Sequence, residues 1–323
     1  MGPIAPENTM TYRFDPELAP WAAMLPDLDM TDPAAARETL TQVAAQLPPY
    51  ESAAPLTVED TSVPGPPGAP DVPVRVYAPA ERQEPLPGLL GLHSGGFMAG
   101  GLDTLDAACR EIADQVGAVV VSVDYRLAPE HPFPAGVEDA YAALVWLAKE
   151  AGRLGVDPGR LGVFGESAGG GLAAATALLA RDRSGPELCY QVLDSPELDD
   201  RLDTPSMRSF TDTPVWTRPK AVLSWKYYLG EAAGGPDVSA YAAPARAEDL
   251  SGLPPAWVAV SEFDPLRDEG ITYAQRLVQA GVPTELHLYP GTFHGAFVVP
   301  GAAVSERMGT DRIAALRRGL GCA

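Results

Sequence analysis

A chain that passes from a buried strand into a helix within a few residues has few folds open to it, and this sequence does so between Leu161 and Ala180. The apolar run Leu161 to Phe164 delivers the chain to Gly165-Glu-Ser-Ala-Gly169, and the small residues and leucines from Leu172 to Ala180 read as helical. A residue at the tip of so tight a turn adopts strained backbone angles, and only small neighbours let strand and helix pass so closely. Gly165 and Gly169 supply that room. The turn lifts the Ser167 hydroxyl clear of the backbone at the positive end of a helix, where a developing oxyanion is favoured. Alone the pentapeptide is weak, since chance produces Gly-x-Ser-x-Gly in roughly one chain in seven of this composition. Its setting between strand and helix adds weight, and the rest of the chain must supply partners.

The flanking sequence repeats the same alternation. Leu56 to Val63 and Val74 to Ala78 alternate apolar and polar with period two, with the Pro/Gly-rich region Pro64 to Pro73 between them, as a half-buried hairpin would. Strand Gly88 to Leu92, helix Thr104 to Val116, strand Ala118 to Val123 and helix Val137 to Glu150 follow. Beyond the Ser167 turn come strand Cys189 to Leu193, an inserted helical segment from Asp199 to about Gly235, strand Trp257 to Val260, helix Glu269 to Ala280, strand Glu285 to Tyr289 and a closing helix from about Val304. Residues 1 to about 46 carry two short helices, near Pro16 to Met24 and from Asp32-Pro33 toward Gln46, the second with an N-cap and a proline at its first position. Their apolar residues Leu18, Trp21, Met24, Leu25 and Leu28 either pack on the body or line a pocket. Strands alternating with helices predict an α/β protein with a mostly parallel sheet covered on both faces. Chemistry in such sheets sits at the carboxyl ends of strands.

Composition excludes several partners. The formal charge is −20 over 323 residues, which argues against nucleic acid and anionic membranes. Cys109, Cys189 and Cys322 are widely spaced and odd in number, so neither a disulfide framework nor a zinc site is indicated. The first twenty residues contain Glu7, Arg13, Asp15 and Glu17 and no apolar leader core, and no stretch reaches ~18 uninterrupted apolar residues. The expectation is a cytoplasmic protein with reduced thiols, no metal and no cofactor.

Three loops follow strands, and each carries a residue type that a serine nucleophile needs. In His93-Ser-Gly-Gly-Phe97, two adjacent glycines can turn successive N–H groups toward one point and, with the N–H of Ala168, form an oxyanion hole. Asp264-Pro-Leu-Arg-Asp-Glu-Gly270 and Gly291-Thr-Phe-His-Gly295 follow the last two strands. An unactivated serine needs an imidazole to take its proton and a carboxylate to fix that imidazole's tautomer. Of four histidines, His93 precedes the glycines and braces its loop, His131 lies in a turn and His287 sits inside a strand, which leaves His294. Asp264 is better placed beyond its strand than Glu262, and Asp268 and Glu269 read as helix-capping acids.

Five motifs in order, His93-Ser-Gly-Gly-Phe, Asp124-Tyr-Arg-Leu-Ala-Pro-Glu-His-Pro-Phe-Pro-Ala135, Gly165-Glu-Ser-Ala-Gly-Gly, Asp264-Pro-Leu-Arg-Asp and His294-Gly, resemble those of the hormone-sensitive-lipase-like (family IV) esterases from about residue 56 onward. The resemblance implies an α/β-hydrolase core (residues 47–198 and 236–323) with a helical cap (residues 1–46 and 199–235). It implies a triad of Ser167, Asp264 and His294, oxyanion donors at Gly95, Gly96 and Ala168, and a small-molecule ester as substrate. The whole chain also resembles bacterial acetyl-ester hydrolases that act on acetylated alkaloids, and cap aromatics such as Trp21, Phe210 and Trp216 either narrow the pocket toward short acyl chains or are buried. Two departures stand out: Ser94 where the family has Gly, and Glu166 where it has Asp or Thr. Glu166 contacts the cap or a partner chain, or is a solvated structural residue.

Rival readings remain. Gly169-Gly-Gly171-Leu-Ala-Ala174 with Asp194 mimics a dinucleotide fingerprint, but its glycines begin five residues after Phe164, inside the helix instead of at the turn. A receptor of the same fold would lack a triad residue, and all three are present. An acyltransferase on the same triad, and a homo-oligomer, stay open.

Overall fold

In the computed structural model, which describes residues 12–25, 27–46, 48–82 and 85–322, one eight-stranded sheet runs through the molecule. Residues 1–11 and Pro26 of the expected cap, and with them Glu7 of the leader-free reading, lie outside the described residues. The strands are β1 (Leu56–Val63), β2 (Val72–Pro79), β3 (Leu86–Leu92), β4 (Val119–Val123), β5 (Val156–Glu166), β6 (Tyr190–Asp194), β7 (Ala256–Phe263) and β8 (Thr284–Phe293), in the order β1-β2-β4-β3-β5-β6-β7-β8. The hairpin β1–β2 is antiparallel from Leu56 opposite Pro79 to Val63 opposite Val72, and β2 pairs antiparallel with β4. The remaining pairs are parallel, with β5 between β3 and β6.

The helices are α1 (Ala19–Met24), α2 (Pro33–Gln46), α3 (Asp106–Gln115), α4 (Ala135–Lys149), α5 (Ala151–Leu154), α6 (Ala168–Asp182), α7 (Pro205–Ser209), α8 (Arg218–Leu229), α9 (Arg267–Gln279) and α10 (Ala303–Gly319). Successive strand residues point to opposite faces, and the core divides accordingly. Leu90, Val121 and Val163 join Leu144, Leu178 and Leu277 on the side of α4, α6 and α9. Leu89, Val120 and Phe164 join Ile112 and Leu316 on the side of α3 and α10. Burial on both faces is why these strands read as continuous apolar runs.

Most boundaries shift by a few residues, and β5 and α6 each begin before the apolar run that marks them. β5 begins at Val156, because its first residues pair only through Leu86 and Val156 before a register shift, and the polar Asp157 to Arg160 hide that extension. α6 begins at Ala168 and includes Gly169, Gly170 and Gly171. Glycine is a poor helix former, but a Cβ on Gly169 would stand 2.1 Å from Leu92 O and one on Gly171 2.1 Å from Glu197 O, so close packing overrides propensity.

The inserted segment folds as α7 and α8, each starting with a Pro in its first turn behind a Thr cap: Thr204 Oγ1 accepts from Met207 N and Thr217 Oγ1 from Lys220 N. Asp32 caps α2 by accepting from Ala34 N and Ala35 N. A small apolar cluster (Met30, Met98, Met207, Trp216, Ala221, Leu266) joins the N-terminal residues to the inserted segment at the carboxyl ends of the strands. Arg37 clasps α2 to the sheet loops, donating to Met98 O at 2.8 Å and Ala128 O at 2.9 Å and pairing with Glu130 at 2.6 Å. Upstream, Asp15 N donates to Gly291 O at 2.9 Å, and Glu17 accepts from Ala303 N at 2.7 Å. No helix among the described residues is long and apolar enough to cross a membrane.

Candidate active site

Ser167 has φ +57° and ψ −120°, a strained conformation that costs of order 1–3 kcal/mol. It is held by Ser167 N donating to Asp194 O at 2.8 Å and by Ser167 O accepting from Glu197 N at 3.0 Å. A Cβ on Gly165 would stand 2.0 Å from Gly169 O, so the turn admits only glycine there. Beside it, β7 ends one residue before Asp264 and β8 one residue before His294. His294 Nε2 lies 2.9 Å from Ser167 Oγ, and His294 Nδ1 lies 2.7 Å from Asp264 Oδ2. Asp264 Oδ1 accepts from Leu266 N at 2.9 Å, which orients the carboxylate. All three side chains are buried. Nδ1–H therefore donates to the carboxylate, and Nε2 is left to accept from the serine hydroxyl.

The other candidates fall elsewhere. Glu262 accepts from Gly291 N at 2.7 Å and so fastens the loop that bears His294. His131 is exposed, and His287 pairs with Glu285 at 2.7 Å. His93 Nδ1 donates to Ser94 O at 2.8 Å and its ring stacks on Tyr125; burial pushes its pKa down to about 4, so it is a neutral brace. Asp268 and Glu269 serve more than their own helix: Glu269 accepts from Leu198 N at 2.6 Å and Asp268 from Ser206 N at 2.7 Å, which anchors the inserted segment.

Gly95 (φ +130°) and Gly96 (φ +57°) form the loop after β3. A Cβ on Gly95 would stand 2.1 Å from Ala99 O, and one on Gly96 2.8 Å from the Trp216 ring. Ala168 opens α6, and the first N–H groups of a helix have no acceptor within it. Gly95 and Gly96 line a cleft of about 150 Å³ together with Ser167, the residue before Ala168, and His294, with Leu28, Leu40, Val43, Trp216 and Phe297 as its apolar wall. Ser94 lines the cleft too. Among the described residues no group of three or more His, Cys, Asp or Glu is arranged to hold a metal.

Of the cap aromatics Trp21, Phe210 and Trp216, left open between pocket and core, only Trp216 lines the cleft, its ring 5.8 Å from that of His294. Phe210 packs against Tyr12 and Phe263 instead, and Trp21 packs on the core under α10. Leu25 and Leu28 line the cleft, Leu18 is buried, and Met24 is exposed.

Glu166 is neither solvated nor bound to the inserted segment. It is buried and pairs with Arg312 of α10 at 3.0 Å; Arg312 also reaches Glu111 at 3.0 Å and Asp194 at 3.8 Å. Burial pushes Glu166 up to about 7 and Asp194 up to about 6, against the opposing pull of Arg312. Asp194 thus belongs to a charge cluster behind the serine, which removes the basis of the dinucleotide reading. Sequence reasoning missed Arg312, whose partners lie 118 to 201 residues away in the chain. It also missed Ser224, buried and bonded to Gly96 O, and the buried Glu197; only the position of Asp194 at the end of a strand beside β5 offered a signal.

Residues 89–298 match the family described as alpha/beta hydrolase fold, and the chain belongs to that family, in its hormone-sensitive-lipase-like branch. Carboxylesterase NlhH of Mycobacterium tuberculosis is 45% identical over 277 residues, 82% of this chain and 83% of that one. Ethyl acetate hydrolase of Pseudomonas putida is 36% identical over 240 residues, 73% and 74% of the two chains. Among solved structures, a bacterial heroin esterase superposes with a TM-score of 0.91 at 50% identity, covering 95% of this chain and 98% of its own. The protein is a carboxylic ester hydrolase.

Proposed function

We propose that the protein is a cofactor-independent serine esterase of small, short-chain acyl esters, acetyl esters first among them and acetylated alkaloids within range. The observation that carries this reading is the hydrogen-bonded line Asp264–His294–Ser167 opening into a cleft of about 150 Å³, well under the ~300 Å³ at which pockets for drug-sized ligands begin. The names of two similar proteins, ethyl acetate hydrolase and heroin esterase, also point to acetyl esters.

Ser167 Oγ attacks the ester carbonyl while His294 Nε2 takes its proton, and Asp264 stabilises the imidazolium. The oxyanion is received by the N–H groups of Gly95, Gly96 and Ala168. His294 returns the proton to the leaving alcohol, leaving an acyl-enzyme. Water then attacks, giving its proton to His294, and the acid departs as Ser167 recovers its hydrogen. Residues 1–46 and 199–235 act as a cap over the core of 47–198 and 236–323, closing the acyl end of the cleft through Leu28, Leu40, Val43 and Trp216.

The test is hydrolysis of p-nitrophenyl acetate, butyrate and octanoate by wild type, Ser167→Ala and His294→Ala. The expected result is fastest turnover of acetate, with each substitution lowering kcat by ~10⁴-fold or more. Near-normal rates in either variant, in a protein that remains folded by circular dichroism, would refute the assignment.

A further inference from the structure

The Gly95–Gly96 loop is held from two sides. Gly95 O accepts from Ala99 N at 2.9 Å and Met98 N at 3.2 Å, which fixes the peptide plane that also carries the Gly96 N–H. The next plane is held from the inserted segment, where the fully buried Ser224 of α8 donates from Oγ to Gly96 O at 3.0 Å. A serine hydroxyl has one proton and two lone pairs. With that proton committed to Gly96, the Ser224 oxygen can only accept from elsewhere.

Beside Ser224 lies the carboxyl of Glu197. It is fully buried, and neither oxygen has a well-formed hydrogen bond among the described residues. The titratable groups that interact with it are Asp264 after β7, Glu269 on α9 and Tyr125 after β4, none of them cationic. An ionised carboxylate in such a place is costly, and burial pushes Glu197 up to about 8 against the opposing pull of the Ser224 hydroxyl, so it keeps its proton at neutral pH. Its main chain is tied to the nucleophile as well, through Glu197 N and Ser167 O.

We propose that Glu197 and Ser224 are positioning residues for ester hydrolysis. The protonated Glu197 carboxyl donates to Ser224 Oγ, which keeps the single Ser224 proton on Gly96 O and fixes the loop that receives the oxyanion. This rests on the oxyanion role given above to Gly95 and Gly96. When Glu197 loses its proton to solvent, its carboxylate becomes a charged acceptor, and charged acceptors form the stronger bond. The Ser224 proton then turns to Glu197, and Gly96 O loses its donor. One of the two restraints on the loop is gone.

The experiment is the pH dependence of kcat and KM for p-nitrophenyl acetate between about pH 6 and 9.5 in wild type, Glu197→Gln and Ser224→Ala, with the alkaline decline read from each profile scaled to its own acid-side plateau, the level of kcat compared unscaled, and Ser167→Ala as a control. Wild type is expected to lose kcat by about tenfold on the alkaline side with KM little changed, less than the ~100-fold cost of deleting an oxyanion donor. In Glu197→Gln the amide donates to Ser224 at every pH, so the alkaline decline disappears. In Ser224→Ala kcat is lowered by about tenfold across the whole range, with no alkaline decline. Persistence of the wild-type decline in Glu197→Gln overturns the proposal. So does a wild-type kcat in Ser224→Ala, which decides the matter if Glu197→Gln does not fold. Turnover by Ser167→Ala would instead sink the triad itself, whereas an inactive control beside an unchanged decline in Glu197→Gln sinks only the positioning role.

Discussion

Arg312 is a buried cation between three carboxylates, Glu166, Glu111 and Asp194, and its guanidinium also lies over the Phe164 ring. The cluster sits behind the serine, so its charge is set by a helix near the end of the chain. Removing one partner of a buried ion pair leaves an uncompensated charge, at a cost of ~3–5 kcal/mol. Arg312→Ala is therefore expected to lower the unfolding free energy by about that amount in urea at neutral pH. Glu166→Gln keeps the shape and removes the nearest carboxylate charge, and combining it with Arg312→Ala should recover part of the loss; strictly additive losses would mean that the two side chains are not coupled. None of this was legible in the sequence, because Glu166 and Arg312 are brought together by tertiary packing between α10 and the carboxyl end of β5. Ser167, Asp264 and His294 were different. Each directly follows a strand of the parallel part of the sheet, β5, β7 or β8, so the sheet itself carries them to one edge.

Among the elements, α2 contributes most to the cleft for the least attachment. It has a single buried residue, Ala36, yet Leu40 and Val43 line the cleft and Arg37 provides the clasp to Met98 O and Ala128 O. Arg37→Ala should loosen the helix over the acyl end, raising KM for p-nitrophenyl butyrate several-fold while costing ~1–2 kcal/mol of stability. An unchanged KM would mean that α2 keeps its seat without the clasp. The start of α2 was readable from Asp32-Pro33, and so was the alternation of strands and helices around it. The glycines that open α6 run against local propensity, and their place inside the helix was legible only from their distance beyond Phe164; Leu92 O and Glu197 O leave no room for a Cβ at Gly169 and Gly171. The aromatics stayed open between pocket and core for a related reason: Phe210, in a polar segment, finds Tyr12 and Phe263 only once the N-terminal residues are in place.

At the scale of the whole molecule, buried acids set the pH dependence of stability. Burial pushes Asp194 up to about 6, Glu166 up to about 7 and Glu197 up to about 8, and raises Glu269 well above its ordinary value. Each keeps its proton in the folded chain at pH values where the unfolded chain, with carboxyl groups near ~4, has released it. The folded state then binds more protons, so stability falls as pH rises. The stability these groups allow is complete below about pH 4 and is lost progressively through about pH 6 to 8. The urea midpoint, measured at about 0.3 M salt to screen the surface charge, should decline steadily between about pH 5 and 8.5. A midpoint that rises across that interval would mean the buried carboxyls are ionised throughout.

The bond from Asp15 N to Gly291 O, with the bond from Ala303 N to Glu17, ties the loop bearing His294 to a segment near the beginning of the chain. Synthesis separates these partners: residues 12–18 are made before the whole of the sheet, and the loop they hold is made after it. A growing chain contains Ser167 well before it contains Asp264 and His294, the two residues proposed above to activate it. On the proposed mechanism hydrolytic competence waits for His294, and a chain that stops before that residue holds a nucleophile but no chemistry.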